Sequence, residues 1–397
     1  MIKLPVLEVS NNTMTLRSQL RPLLFLTSIF LLNFTIRIIL SPLLPTISHD
    51  MHLTGDQAGS LFLVSALGYF ISLVCSGFIS EKLWHKKTIG LSAIVTGLSF
   101  VITGFCNSFA IMQTGIFVTG MAAGLYLPSG IAMLTTSISK QNWGKAIGVH
   151  ELAPNLSFLF APIVCEVLLL WISWRSVLLV TGTVSIVLGI IFLKFSQVMD
   201  FSGQAPKLNS LVPLLSSRSF WIMIVLFTAG VTGAMGIYAM LPLYLVNEHG
   251  MLQSQANTLI TLSRILTLPM SFAIGWVSDR YGMKKTLTTV LILTGVSTLS
   301  IGLFSGTGLQ IAVFLQSFLA VCFFPPAFSA LSNIGAKENR NIMVSFTIPA
   351  AFLMGGGGAP LLIGILADNG FFATGFIGAG IAISAGALLP IFLNFKD

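Results

Sequence analysis

Charge is scarce in this sequence. Only 8% of its 397 residues are Asp, Glu, Lys or Arg, against about 25% in an ordinary soluble domain. Acid is scarcer than base: 12 Asp and Glu stand against 20 Lys and Arg, a formal net charge of +8. So few charges cannot clothe one or two water-soluble domains of this length. A disordered chain is excluded as well, because 55% of the residues are hydrophobic and 31 are Phe. Cysteine is also rare. Cys75, Cys106, Cys165 and Cys322 lie far apart in apolar runs, with no Cys-x-x-Cys or Cys/His spacing, so neither a metal site nor a disulfide framework is indicated. No cluster of Lys and Arg lies on a polar surface, which argues against nucleic acid as a partner. What remains is a polytopic protein whose surroundings are the lipid bilayer.

The apolar stretches are of spanning length, about 20 residues each. They lie near 22–46, 59–79, 88–106, 109–136, 146–170, 177–195, 219–246, 256–277, 286–304, 308–334, 342–366 and 371–394. The reading is an all-α membrane protein with twelve transmembrane helices. Residues 1–21 form a polar tail with Lys3, Arg17 and Arg21 and no cleavage-site pattern, so no removable signal peptide is expected. Residues 22–195 and 219–397 form two six-helix bundles, and 196–218, with Asp200, Gly203, Pro206, Lys207 and Arg218, reads as the linker. Loops are too short for a soluble catalytic domain. Lys82, Lys86, Lys87, Lys140, Lys145, Lys194, Arg280, Lys284, Lys285, Lys337, Arg340 and Lys396 fall in alternate loops or termini, while the opposite loops hold only Arg175. This asymmetry predicts that both termini are cytoplasmic.

The halves repeat. Gly77-Phe-Ile-Ser-Glu81-Lys82 with Lys86-Lys87-Thr88 recurs 198 residues later as Gly275-Trp-Val-Ser-Asp279-Arg280 with Lys284-Lys285-Thr286. Pro128 recurs as Pro326, and Ala161-Pro162 as Ala359-Pro360, at the same offset of 198. Three landmarks at one offset indicate a duplicated six-span unit, a plan that places a binding site between the repeats at mid-membrane.

Twelve spans, a mid-chain loop and a doubled loop signature resemble the major facilitator superfamily (MFS). The signature is a glycine, an acid four residues on, a base, a second glycine and further bases. Gly275, Asp279, Arg280, Gly282, Lys284 and Lys285 fit it; in the first copy Glu81 replaces Asp, Trp84 stands at the second glycine and His85 at a strong base. The resemblance implies a fold of two six-helix bundles around a central cavity. It also implies a cytoplasmic gate formed by Gly77, Glu81, Gly275, Asp279, Arg280 and Gly282, whose acids help latch that side when the cavity opens outward. On physical grounds the acids suit free N–H groups at a neighbouring helix start, and the bases suit anionic headgroups.

Charges inside spans are costly and usually face the bundle interior. Asn33, Arg37 and Ser41 share a helix face in span 1; Asn257, Thr261, Arg264 and Ser271 share one in span 8; Glu151 and Asn155 share one in span 5. Two arginines against one carboxylate leave the interior positive, and guanidinium groups present paired donors to carboxylate or phosphate. The expectation is a small anion held between Arg37 and Arg264. Asn33, Asn155, Asn257, Tyr69 and Tyr238 are the accompanying substrate contacts. The span-1 arginine with an Asn one turn before it is similar to the organic-anion branches of the superfamily. Glu151, with His150 beside it, is the expected proton-coupling site. His150-Glu151-x-x-Pro154 lacks the second histidine of a zinc helix, and Gly355–Gly358 lacks the Lys-Ser/Thr of a phosphate loop. Pro154, Pro162, Pro242, Pro269, Pro326, Pro349 and that glycine run are candidate flexing points. No nucleophile-and-base pattern of an enzyme is present, no cofactor is implied, and no selectivity filter of a channel is seen. The sequence thus reads as a monomeric secondary transporter of a small anion, proton-coupled, moving by alternating access in a bacterial inner membrane. Proton-driven efflux of drugs or metabolites is the alternative.

Overall fold

In hydrocarbon every backbone N–H and C=O must find a partner within the chain, which favours continuous helices. The computed structural model describes residues 16–204, 215–334 and 340–393, and these fold into helices joined by short loops. Lys3, Pro206, Lys207, Lys337 and Lys396, and the side chains of Arg17, Ser271 and Arg340, lie outside the described residues. Eleven stretches are long and apolar enough to cross a membrane. The other expected span, 253–281, is helical as Gln253–Ile265 and Thr267–Tyr281 but opens with Gln253, Gln255, Asn257, Thr261, Ser263 and Arg264. It is the polar span of the bundle.

In chain order, span 1 comprises Leu16–Ile38 and Leu40–Met51, span 2 Gly55–Leu83, span 3 His85–Gly104, and span 4 Phe109–Gly124 and Tyr126–Ser137. Span 5 is Trp143–Leu169 and span 6 Trp174–Phe195. Span 7 runs Arg218–Val231, a π turn Thr232–Gly236, then Ile237–Asn247. Spans 9 and 10 are Met283–Leu303 and Gly306–Val321 with Phe324–Asn333. Span 11 runs Arg340–Ala351, a π turn Phe352–Gly358, then Ala359–Asp368, and span 12 is Phe372–Gly386.

The duplication is visible in the backbone. Spans 3 and 6 meet where a Cβ on Gly182 would stand 2.6 Å from the Gly97 carbonyl oxygen; spans 9 and 12 meet where one on Gly295 would stand 2.6 Å from that of Gly380. The second pair is the first shifted by 198. The turns after spans 2 and 8 match too. The Trp84 N–H donates to Ser80 O (2.9 Å) and the Gly282 N–H to Ser278 O (3.0 Å). Both residues have positive φ, +64° for Trp84 and +88° for Gly282. With ψ of 157°, Trp84 occupies a region that is essentially glycine's, at a cost of about 1–3 kcal/mol. Its side chain is 49% exposed and returns little burial. Trp84→Gly is therefore expected to raise the unfolding temperature in detergent, by the equivalent of about 1–3 kcal/mol; an unchanged or lowered midpoint would remove this reading.

The linker starts against the same turn. Phe201 O accepts from the His85 N–H (3.0 Å), Asp200 Oδ1 accepts from the Lys86 N–H (3.0 Å), and the Gly203 N–H donates to Ser80 O (3.0 Å). The anion at the start of span 3 is thus Asp200. Glu81 is exposed, and its backbone carbonyl accepts from Ser202 Oγ at 3.0 Å. This corrects the sequence expectation for Glu81: the acid that closes the free N–H groups arrives from the linker, which folds back under the turn.

Every hydrogen bond between the two bundles found among the described residues lies toward the end opposite the basic loops. Asp368 at the end of span 11 accepts from the Gly55 and Asp56 N–H groups at the start of span 2 (2.5 and 2.8 Å). Gln253 Nε2 donates to Pro42 O (2.9 Å), and Ser41 Oγ donates to Tyr238 O (2.6 Å). Gly55 and Gly59, a Gly-x-x-x-Gly pair, let span 2 lie against span 11: a Cβ on Gly59 would stand 2.7 Å from Leu361 Cα. The bundles are therefore sealed together at the far end.

Candidate functional site

The site is built where helices are interrupted near their middles. Pro42 has no N–H to give the Ile38 carbonyl, and Pro269 none for Ile265, so spans 1 and 8 break at Ile39 and Leu266. Arg37 and Arg264 stand just before these breaks. Opposite them, spans 7 and 11 each carry a π turn, a feature common at functional sites. The π turns touch: a Cβ on Gly236 would be 2.5 Å from Gly355 O, and one on Gly355 2.6 Å from Thr228 O and 2.8 Å from Thr232 N. Gly355→Ala is therefore expected to destabilise the protein by about 1–3 kcal/mol through overpacking. Gly356→Ala should fold normally, because its Cβ would sit 3.7 Å from Val231 Cγ1. Thermal unfolding of the two variants checks the contrast; equal stability would contradict it.

A small cavity of about 30 Å³ lies between the bundles, lined by Arg37, Ile38, Phe62 and Phe158 from one and Met235, Tyr238, Ala239 and Gly356 from the other. It has room for about two waters. Arg37 and Tyr238 are the lining residues with polar side chains.

Arg37 is 8% exposed, and no carboxylate of the described residues lies within 4.0 Å of it. Aromatic faces surround it instead: the Tyr69 ring centroid is 3.7 Å from its Cζ, Phe34 5.4 Å and Phe352 5.6 Å. Its Nε has no hydrogen-bond partner among the described residues. Arg264, 1% exposed, is similar. Its Cζ lies 4.6 Å from the Phe158 ring and 5.1 Å from the Tyr238 ring, one weak hydrogen bond runs from Nη2 to Ala234 O (3.4 Å), and Nε and Nη1 have no partner. A desolvated cation–π contact returns about 2 kcal/mol or more, whereas burying an unpaired ion costs several kcal/mol. Both charges are thus under-compensated, and an anion is what would compensate them.

The two arginines are not equivalent. Arg37 faces the cavity. Arg264 sits behind Phe158 and Tyr238, whose rings pack edge to face at 4.8 Å. The Tyr238 hydroxyl is buried without a partner, and Tyr69 is the platform under Arg37. Asn33, Asn257 and Asn155 do not join this cavity. Asn33 Nδ2 donates to Ala123 O of span 4 (3.3 Å). Asn257 Nδ2 donates to Glu166 Oε1 (2.5 Å) and Pro42 O (3.1 Å), tying span 8 to spans 5 and 1 at the far end. Asn155 is half-buried on span 5. The reason is geometric: residues four apart advance by 400°, so an i, i+4, i+8 stripe drifts 40° per step. Asn33, Arg37 and Ser41 consequently meet span 4, the cavity and span 7 in turn.

Glu151 and His150 form a second centre on span 5, toward the basic end. The glutamate side chain is 48% exposed and its Oε1 lies 3.2 Å from His150 Nδ1, while the imidazole is fully buried. His150 Nε2 lies 3.0 Å from the Tyr126 hydroxyl, which donates onward to Leu26 O at 2.6 Å. The hydroxyl hydrogen is used on Leu26, so Tyr126 accepts from Nε2–H. That fixes the tautomer. That leaves Nδ1 facing Glu151 Oε1. The imidazole is held by stacking on Phe30 at 4.5 Å.

At the basic end Gly77 and Gly275 are half-buried within spans 2 and 8, not in turns; the turn glycine is Gly282. Asp279 and Arg280 are exposed, Arg280 lying over Trp276 at 5.4 Å. None of these residues, nor Glu81, has a hydrogen bond or ion pair to the other bundle among those described. Sequence reasoning missed the aromatic walls Phe34, Phe158 and Phe352. Among 31 Phe they carry no distinguishing signal. It also missed Asp368, although an acid closing an apolar run before Asn-Gly was readable.

The profile of the Major Facilitator Superfamily matches residues 26–307 and 231–396. A probable sulfoacetate transporter of Cupriavidus necator is 28% identical over 150 residues, 38% of this chain and 35% of that one, so this match spans about a third of that relative. A probable 4-methylmuconolactone transporter of Cupriavidus pinatubonensis is 25% identical over 82% of this chain and 79% of its own. Among solved structures, a bacterial homologue of the human lysosomal transporter Spinster, inward-facing and unoccupied, superposes with a TM-score of 0.74 at 16% identity, covering 96% of both chains. With its duplicated helical bundles and the match along nearly its whole length, the chain belongs to the Major Facilitator Superfamily of transporters.

Proposed function

We propose that this protein is a secondary active transporter that carries a small anion, coupled to protons, by alternating access. The observation that carries the reading is a pair of buried guanidinium groups, one from each bundle, with no carboxylate beside either among the described residues. Such groups bind carboxylate, sulfonate or phosphate through paired donors.

With the basic loops placed at the cytoplasmic face, the far-end seal makes this an inward-facing state. The cargo neutralises Arg37 at the cavity and lies in the field of Arg264. Bringing the basic ends together then costs less, because the charge they enclose is balanced. In that outward-facing state Glu81 and Asp279 would latch the cytoplasmic side, and the bonds of Asp368, Gln253 and Asn257 would open. Span 5 carries both the His150–Glu151 pair and the cavity residue Phe158, which is seven residues or about 10 Å along the helix from Glu151. A proton gained or lost at one end thereby bears on packing at the other. The protein functions as a monomer in a bacterial inner membrane with both termini cytoplasmic.

Uptake into proteoliposomes, measured across carboxylates, sulfonates and phosphate with and without a pH gradient, tests this. Saturable uptake of an anion, raised by the gradient, is expected. Movement of cationic or neutral solutes alone would reject the anion reading, and accumulation indifferent to the gradient would reject the coupling.

A further inference from the structure

We infer that the cavity selects anions bearing one negative charge and a compact apolar body, and that Phe158 and Tyr238 set this selectivity by screening Arg264. This rests on the anion reading above and narrows it. Among the lining residues only Arg37 and Tyr238 have polar side chains, one guanidinium and one hydroxyl. Phe62, Phe158, Met235 and Ile38 make up much of the remainder. The cavity holds only about two waters, so a carboxylate reaching Arg37 parts these side chains and brings its body against rings and aliphatic chains. A polyhydroxylated body would leave its hydroxyl groups without partners there, which weakens its binding.

Charge number follows from the second arginine. Arg264 has unpartnered Nε and Nη1, yet it does not line the cavity; Phe158 and Tyr238 do, with the guanidinium carbon 4.6 and 5.1 Å from their ring centroids. A second carboxylate on the cargo would meet these rings and at most the Tyr238 hydroxyl, not a second guanidinium. The duplication offers a comparison. The position equivalent to Phe158 in the other bundle, 198 residues on, is Gly356, and both line the cavity. One repeat has filled with a ring the space that the other leaves open.

The test is ligand-induced thermal stabilisation of the purified full-length protein, with apparent Kd from titration, using benzoate, cyclohexanecarboxylate, phthalate and gluconate as probes. Benzoate and cyclohexanecarboxylate are expected to bind at least about tenfold more tightly than phthalate or gluconate. Phe158→Ala should shrink the benzoate-to-phthalate ratio at least about tenfold by exposing Arg264, and Phe158→Tyr should keep it. Phe158→Leu serves if the alanine variant does not fold, and it should shrink the ratio in the same direction. Phthalate or gluconate binding wild type as well as benzoate, or a ratio unmoved by both Phe158→Ala and Phe158→Leu, would overturn the inference and leave the anion reading standing. Binding of none of the four, together with binding of a cationic or neutral solute, would overturn both.

Discussion

Exchange of Arg37 for lysine is expected to lower anion transport about 10- to 100-fold, with insertion into the membrane unchanged. The charge survives this substitution; the planar fork does not. A hydrogen bond to a charged group contributes about 1.5–3 kcal/mol, and each 1.4 kcal/mol is a factor of about ten. Lysine also loses the flat contact with Tyr69, whose ring lies 3.7 Å from the guanidinium carbon, and its ammonium is more strongly hydrated in a site with little water. Arg264→Lys is expected to act in the same direction, because the Arg264 guanidinium is held between Phe158 and Tyr238. Initial uptake rates in proteoliposomes, normalised to reconstituted protein, read the effect. Wild-type rates in both variants would remove the arginines from substrate binding.

Glu151→Gln should separate accumulation from exchange. A pH difference of one unit is worth about 1.4 kcal/mol per proton, enough for about tenfold accumulation at one proton per anion. On the proposed coupling, a proton exchanged at the His150–Glu151 pair reaches water through the carboxylate, which is half-exposed. An amide at position 151 holds the same geometry without a titratable proton. The variant should therefore bring inside and outside anion concentrations only to equality under a pH gradient, while anion-for-anion exchange continues. Tyr126→Phe should weaken coupling less, because it removes the partner of His150 Nε2 and leaves the Glu151 carboxylate in place. Gradient-driven accumulation by Glu151→Gln at the wild-type level would exclude this pair as the coupling site.

Much of the architecture was legible before any coordinates. Spans follow from apolar length, and the repeat follows from Gly77 with Gly275 and Pro128 with Pro326; the structure adds the paired Gly97–Gly182 and Gly295–Gly380 contacts at the same offset. The arginines were legible because charge in a span is rare. Their surroundings were not. Aromatic residues are common in every span, so nothing marked Phe158 as a screen in front of Arg264. Helical stripes were an unreliable guide to convergence: the 40° between Asn33 and Arg37 turns Asn33 to span 4, and Asn257, on nearly the same face as Arg264, lies about 10 Å along the helix from it, in the far-end seal. The first gate copy shows the limit of motif matching. Trp84 departs from the glycine pattern, yet it adopts the positive φ the turn requires.

The unpaired guanidinium charges carry the whole account, and ligand-induced stabilisation measured on wild type beside the double variant Arg37→Gln/Arg264→Gln tests them most directly. A panel of carboxylates, sulfonates, phosphate, quaternary ammonium ions and neutral sugars would be applied to both. Saturable stabilisation of the wild type by at least one anion, absent from the double variant, is the predicted result. A cation or a sugar that stabilises both proteins equally, with no anion acting on either, would contradict it.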